Sequence, residues 1–310
     1  MRIYITGAAG FLGSHICESL LKKGHIVFGI DNFFRGKKEN LPEHSNFSFS
    51  NIDLLDKDNL EKSVNLFKPD IVIHYAAING TRYFYDIPYR VCDENIRLTQ
   101  NILNACGNSV KLFVFASSSE VYGPTPAIPT KESEPIVLHQ ASDRDSYASS
   151  KATGEFLTRL WAKEKKKNFL ILRPFNTYGS RMATNGYGQV IPEFFERILS
   201  EEQFYLYGNG NQTRSFCNVI DHAEIVTDLI ELAKNETLNI GNEEEITIFE
   251  LAKKIHFLFD KPFNPIFKPE WDNDTKWRKP DLDNLKKYIG EKKFINLSEG
   301  LKNLKCDLFI

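Results

Sequence analysis

The stretch Ile5–Gly13, ITGAAGFLG, decides the fold. It places Gly7, Gly10 and Gly13 directly after an apolar strand, Arg2–Thr6, and into a segment with helical spacing, Phe11–Lys23, that stops at Gly24. Glycines at this spacing allow a tight turn and let backbone approach a pyrophosphate. The helix N-terminus behind them presents free N–H groups and partial positive charge. A glycine-rich turn used only for packing would need no acid nearby, yet the next strand, His25–Ile30, ends in Asp31. A carboxylate there accepts hydrogen bonds from ribose hydroxyls and repels a 2′-phosphate. NAD is therefore expected as cofactor in preference to NADP, with Arg35 and Lys37 close enough to touch a phosphate. Asp53, in IDLLD, either reaches the adenine or caps a helix.

Outward from this turn, strands and helices alternate. Phe47–Asn51, Asp70–His74 and Lys111–Ala116 read as strands; Lys57–Phe67 and Pro88–Cys106 read as helices. Pro124–Asp145 reads as a long loop over the cleft, Ser146–Lys166 as a helix, and Asn168–Arg173 as a strand. This alternation implies a parallel sheet covered by helices on both faces. The expected fold is α/β, a Rossmann-type doubly wound parallel sheet with a smaller C-terminal α/β substrate lobe. Residues 1–173 would form the dinucleotide domain. Residues 174–310 would form mainly the substrate lobe, with some chain returning to the first domain.

The bulk numbers set limits. Lys plus Arg is 39 and Asp plus Glu is 41, a net charge of −2. That balance speaks against a protein that coats nucleic acid or an anionic membrane. No apolar run approaches the ~20 residues of a membrane helix, and Met1-Arg2 leads straight into a strand with no secretory leader. The five cysteines are scattered without CxxC spacing, which fits free thiols in a reducing cytoplasm and gives no metal site. His74 reads as a core histidine.

Two further motifs carry chemistry. FASSSEVYG, Phe115–Gly123, sets three serines and a glutamate at the carboxyl end of a buried strand, where ligands bind in such sheets. Tyr147 and Lys151, in DSYASSK, lie four apart and share one helix face. A phenol of pKa about 10 is a poor base at neutral pH. An ammonium neighbour and a cationic nicotinamide would favour its phenolate, which could then take a proton from a sugar hydroxyl.

Together these motifs resemble the extended short-chain dehydrogenase/reductases that modify nucleotide-linked sugars. The resemblance runs through Thr6–Gly13, Asp31, HYAA at His74–Ala77, SSSEVYG, the Tyr147–Lys151 pair, RPFNTYG at Arg173–Gly179, GNGNQTRSF at Gly208–Phe216 and RKPD at Arg278–Asp281. It implies that Tyr147 is the base, Lys151 lowers its pKa, and Ser118, four before the tyrosine of VYG, positions the hydroxyl being oxidised. Ser117 is then strand-end packing. It further implies that Phe11, Leu12, Asn32, Leu54, Ala76, Ala77 and Asn95 line the dinucleotide. Ser119, Asn176, Thr177, Gln212, Arg214 and Arg278 would meet a UDP- or GDP-linked sugar. Trp271 and Trp277 either pack the lobe or stack on a base.

The implied function is NAD-dependent oxidation at carbon 4, as a 4-dehydrogenase or 4-epimerase in surface-polysaccharide precursor synthesis. Ser119-Glu120 replaces the Asp-Glu of members that remove water across carbons 4 and 6. Ser-Glu together with Arg278 is instead similar to the branch that decarboxylates nucleotide-linked uronic acids, which stands as the alternative. For Glu120 the plain alternative is a hydrogen bond to nearby backbone. A non-catalytic dinucleotide sensor would have no need of Ser118, Tyr147 and Lys151 together. A homodimer built on the helices around Asn95–Ala105 and Tyr147 is expected.

Overall fold

The computed structural model describes residues 1–125, 127–182, 189–200, 203–270 and 276–308. Six strands, β1 (Arg2–Thr6), β2 (Ile26–Asp31), β3 (Phe47–Asn51), β4 (Ile71–His74), β5 (Leu112–Ala116) and β6 (Asn168–Pro174), lie parallel in the order β6-β5-β4-β1-β2-β3. Glu236–Ile240 pairs outside β6, also parallel, to make seven. β4 and β5, IVIH and LFVFA, are buried at every residue. Helices on both faces require such unbroken apolar strands. The doubly wound α/β expectation holds.

Successive side chains of β1 feed two different cores, as the period of a strand demands. Ile3 and Ile5 pack with Ile16 and Leu20 of α1 (Phe11–Lys22) and with Val226, Leu229 and Leu238 from the second half of the chain. Tyr4 packs with Leu60 and Val64 of α2 (Lys57–Phe67) and with Phe113. Asp56 caps α2 by accepting from Asn59 N at 3.2 Å, and Lys68 closes it in the left-handed region just before Pro69.

The stretch after β4, which carries no helical signal in the sequence, contains a short helix α3 (Thr81–Asp86), followed by α4 (Pro88–Ala105) with proline at its first turn. α5 (Asp145–Lys165) carries Tyr147 and Lys151. Other element ends fall within a residue of expectation.

Other parts of the second half form a lobe whose own core joins Phe194, Phe195, Phe204, Leu251, Ile255, Leu301 and Leu304. It is fastened to the first half beside Arg278. Thr130 N donates to Lys279 O at 2.8 Å, and Asp281 N donates to Thr130 O at 2.8 Å. No helix among the described residues is long and apolar enough to cross a membrane.

Candidate active site

The strand order reverses between β1 and β4, so a crevice opens at their carboxyl ends. A cleft of about 710 Å³ runs from Gly7 past Tyr147 to Tyr205 and Arg214.

At its first end the turn is built without room for side chains. Gly7 has φ +75°, and a Cβ there would lie 2.8 Å from Ala76 N; one on Gly13 would lie 2.0 Å from Gly7 O. Gly10, Phe11 and Leu12 line the cleft beside them. Asp31 closes β2, accepting from Ala9 N at 3.1 Å and Phe33 N at 2.7 Å. Burial pushes its carboxyl up, and those two N–H groups pull it back. Asn32 Nδ2 donates to Asp53 Oδ2 at 3.0 Å, while Asp53 Oδ1 accepts from Leu55 N at 2.8 Å. A Cβ-free cradle at a helix N-terminus, an acid at the end of β2 and a polar rim together fit a dinucleotide.

Arg35 bonds the carbonyl of Asn79. Leu54, Ala76 and Ala77 line the wall. Asn95 stands behind it: buried, with Oδ1 accepting from Ile78 N at 2.7 Å and Nδ2 donating to Ile78 O at 3.1 Å. It shapes the wall and does not face the cleft. His74 is fully enclosed, Nδ1 at 2.7 Å from Thr6 Oγ1, and burial with the Lys151 charge holds it down at about 3. It is a neutral tie between β1 and β4.

Midway along the cleft, α5 brings Tyr147 and Lys151 to the end of β5. Tyr147 stacks on Phe84 at 4.9 Å and 14°, with Ser118 the hydroxyl that favours its ionised form. Burial pushes this phenol up, the Glu120 carboxylate adds to that, and the Ser118 bond and Arg35 charge oppose it. Lys151 Nζ donates to Ala116 O at 2.7 Å and lies 5.6 Å from the Tyr147 ring centre; burial brings it down to about 7. Ser118 Oγ also accepts from Glu120 N at 3.2 Å. Ser117 points away, donating to Glu155 Oε1 at 2.5 Å, and Ser119 is buried at the cleft floor.

Glu120 faces arginines. Arg278 grips it with both terminal nitrogens, the longer contact 3.4 Å, and Arg144 NH2 lies 3.8 Å away. Burial alone would raise this carboxyl, but the charges of Arg278, Arg144 and Arg214 hold it at about 2. The acid is therefore a permanent anion. Arg144 is a site residue that sequence reasoning misses. Its place three residues before Tyr147 is the signal that could have found it.

Beyond this cluster, Asn176 donates from Nδ2 to Ser215 O at 3.1 Å, Gln212 from Nε2 to Tyr207 O at 3.2 Å, and Arg214 to Thr213 O at 2.8 Å. All three line the cleft, as does Thr177. Trp277 is half exposed on an edge strand and off the cleft wall, and Trp271 lies outside the described residues.

Residues 3–241, with this turn, this pair and this cleft inside them, match the NAD dependent epimerase/dehydratase family. The chain belongs to that family. Membership makes NAD its cofactor class. Among relatives, UDP-N-acetyl-alpha-D-glucosaminuronate decarboxylase of Bacillus cytotoxicus is 34% identical over 97% of this chain and 95% of its own length. UDP-glucuronic acid decarboxylase 2 of Arabidopsis thaliana is also 34% identical over 97% of this chain, which spans 66% of that longer protein. Among solved structures, the UDP-glucose 4-epimerase of Thermotoga maritima, with UDP-glucose, superposes with a TM-score of 0.91 at 29% identity over 100% of this chain and 99% of its own. Family membership fixes the fold and an NAD-dependent enzyme; the relatives and neighbours include both decarboxylases and epimerases.

Proposed function

We propose that this chain oxidises carbon 4 of a UDP-linked uronic acid and releases the sugar carboxylate as CO₂. The observation that carries this reading is Glu120 held between Arg278 and Arg144 beside Ser118 and Tyr147. The guanidiniums of Arg278 and Arg144 meet at the sugar end of the cleft. That suits an anionic sugar, because planar forked donors match carboxylate oxygens. The names of the relatives support UDP and a uronic acid.

The residues then have these roles. The Gly7–Gly13 turn takes the pyrophosphate and Asp31 the adenosine ribose. Ser118 holds the carbon-4 hydroxyl and Tyr147 accepts its proton. NAD, when bound, supplies the hydride acceptor, the later hydride donor and a fixed positive charge. Since burial keeps Tyr147 protonated in the protein by itself, its ionisation belongs to the loaded cleft. A ketone at carbon 4 stands β to the carboxylate on carbon 5. The bond to the carboxylate carbon can break with its electron pair moving onto the ketone oxygen, where Ser118 and Tyr147 O–H groups stabilise it. A proton returned to carbon 5 and reduction of the ketone complete a UDP-pentose. The dehydrogenase and epimerase fates, favoured by the sequence reading, share every step up to the ketone.

The test is incubation with NAD and carboxyl-labelled UDP-glucuronate or its 2-acetamido analogue. Labelled CO₂ and a product lighter by one carboxyl group are expected. Epimerised UDP-glucose with no CO₂ from either uronate would overturn the decarboxylase reading and leave the epimerase.

A twofold dimer is the second part of the proposal. α4 and α5 pack side by side and present Tyr89 at 83% exposure with Phe156 and Leu160 at 54% each. Apolar surface of that kind on adjacent helices suits a partner copy. Sedimentation at micromolar concentration should give twice the mass of the 35.7 kDa chain, and Phe156→Glu should halve it. A monomeric parent chain would refute it.

A further inference from the structure

Thr177 lines the cleft, and behind it stand buried His222 and then Tyr75, which is half-buried and reaches the cleft wall itself. His222, with no exposed surface, lies between Thr177 and Tyr75: its Nδ1 is 3.4 Å from Thr177 Oγ1 and its Nε2 is 2.9 Å from the Tyr75 hydroxyl. The Tyr75 ring meets the imidazole edge-on at 5.9 Å. The three residues come from distant parts of the chain. Tyr75 follows β4, Thr177 opens the short strand Thr177–Tyr178, and His222 sits in the first turn of the helix Val219–Leu232. That helix is placed by the pairing of Thr177–Tyr178 with Cys217–Asn218.

Burial holds His222 at about 3, so it carries one ring proton. That proton has two places to go. If Nε2 carried it, the Tyr75 hydroxyl would accept, and its own hydrogen would meet no other acceptor among the described residues. Burial pushes the Tyr75 phenol up, and a desolvated hydroxyl hydrogen left without an acceptor costs about 1–3 kcal/mol. The favoured arrangement has Tyr75 donating to Nε2 and Nδ1–H donating to Thr177 Oγ1. The lone pair of Thr177 that faces inward is then occupied, and its hydrogen turns to the cleft.

We propose that Tyr75 and His222 are positioning residues that make Thr177 a hydrogen-bond donor, so that the ligand atom seated against it is an acceptor oxygen of the dinucleotide or of the nucleotide-sugar. The inference stands on the cleft and not on the fate of the sugar, and so survives failure of the decarboxylase reading.

The wild-type protein tests the first link. Long-range ¹H–¹⁵N spectra of histidine-labelled protein should show His222, assigned by its loss in His222→Gln, as the Nδ1–H tautomer. Tyr75→Phe should shift it toward Nε2–H. An Nε2–H tautomer in the wild type overturns the proposal. Calorimetry tests the second link. Thr177→Val should weaken either NAD or UDP about fivefold, the scale of one neutral hydrogen bond, and Thr177→Ser should restore it. A loss for NAD identifies the dinucleotide as the source of the acceptor, and a loss for UDP identifies the nucleotide-sugar. Thr177→Val with both affinities unchanged overturns the proposal.

Discussion

Replacing Tyr147 by Phe should lower turnover by about 10³-fold while NAD affinity stays within twofold; positioned acid–base groups contribute roughly 10²–10⁴. Phenylalanine keeps the ring that stacks on Phe84 at 4.9 Å, so the wall of the cleft and the start of α5 are preserved. What disappears is the hydroxyl beside Ser118, the group proposed to take the carbon-4 proton. Single-turnover absorbance of the nicotinamide separates oxidation from later steps. A variant that still reduces NAD at the parent rate would remove Tyr147 from the mechanism and leave the proton to another group. Retained folding, read from an unchanged melting curve, makes either outcome interpretable.

Glu155→Ala should destabilise the fold by about 3–5 kcal/mol, the usual loss when one partner of a buried ion pair is removed. Glu155 lies on α5 one turn beyond Lys151. It accepts from Arg173 at 2.8 and 2.7 Å and from Ser117 at 2.5 Å, with side-chain exposures of 6% for the arginine and 8% for the acid. Alanine would strand the Arg173 guanidinium between β6 and α5. Equilibrium urea unfolding is the measurement. The double variant Glu155→Leu/Arg173→Met should recover most of the loss, because a well-packed apolar pair replaces both charges. A single-variant loss below about 1 kcal/mol would show that water or another anion reaches Arg173. The same pair fixes the strand end from which Ser118 projects, so residual activity should fall along with stability.

Much of this architecture is legible because it rests on local signals. The glycine turn, Asp31 at the end of β2, and Tyr147 four before Lys151 are short-range patterns, and the alternation of strands and helices needs no long-range knowledge. α3 escapes such reading because six residues rich in aromatics, with no side-chain cap, carry almost no helical signature. Yet it supplies Phe84 to Tyr147. The partners of Glu120 are half visible: Arg278 comes with its motif, whereas Arg144 sits in a loop read as lying over the cleft, with no pattern to single it out. Glu155 with Arg173, and Tyr75 with His222, are separated by 18 and 147 positions. Only folding brings such groups together. Asn95, expected along the dinucleotide, instead spends both ends of its amide on Ile78, a use no linear pattern reveals.

The strand Glu236–Ile240 has a bearing on how enzymes of this build can diversify. It lies beyond the lobe's first helix, yet it seals the flank of β6, and Val226, Leu229 and Leu238 fill the same interior as Ile3 and Ile5. A gene cut after codon 174 would leave β6 with a bare hydrogen-bonding margin, a template for aggregation. The two halves therefore cannot be inherited or exchanged as separate modules. Any change of specificity has to leave that shared interior intact.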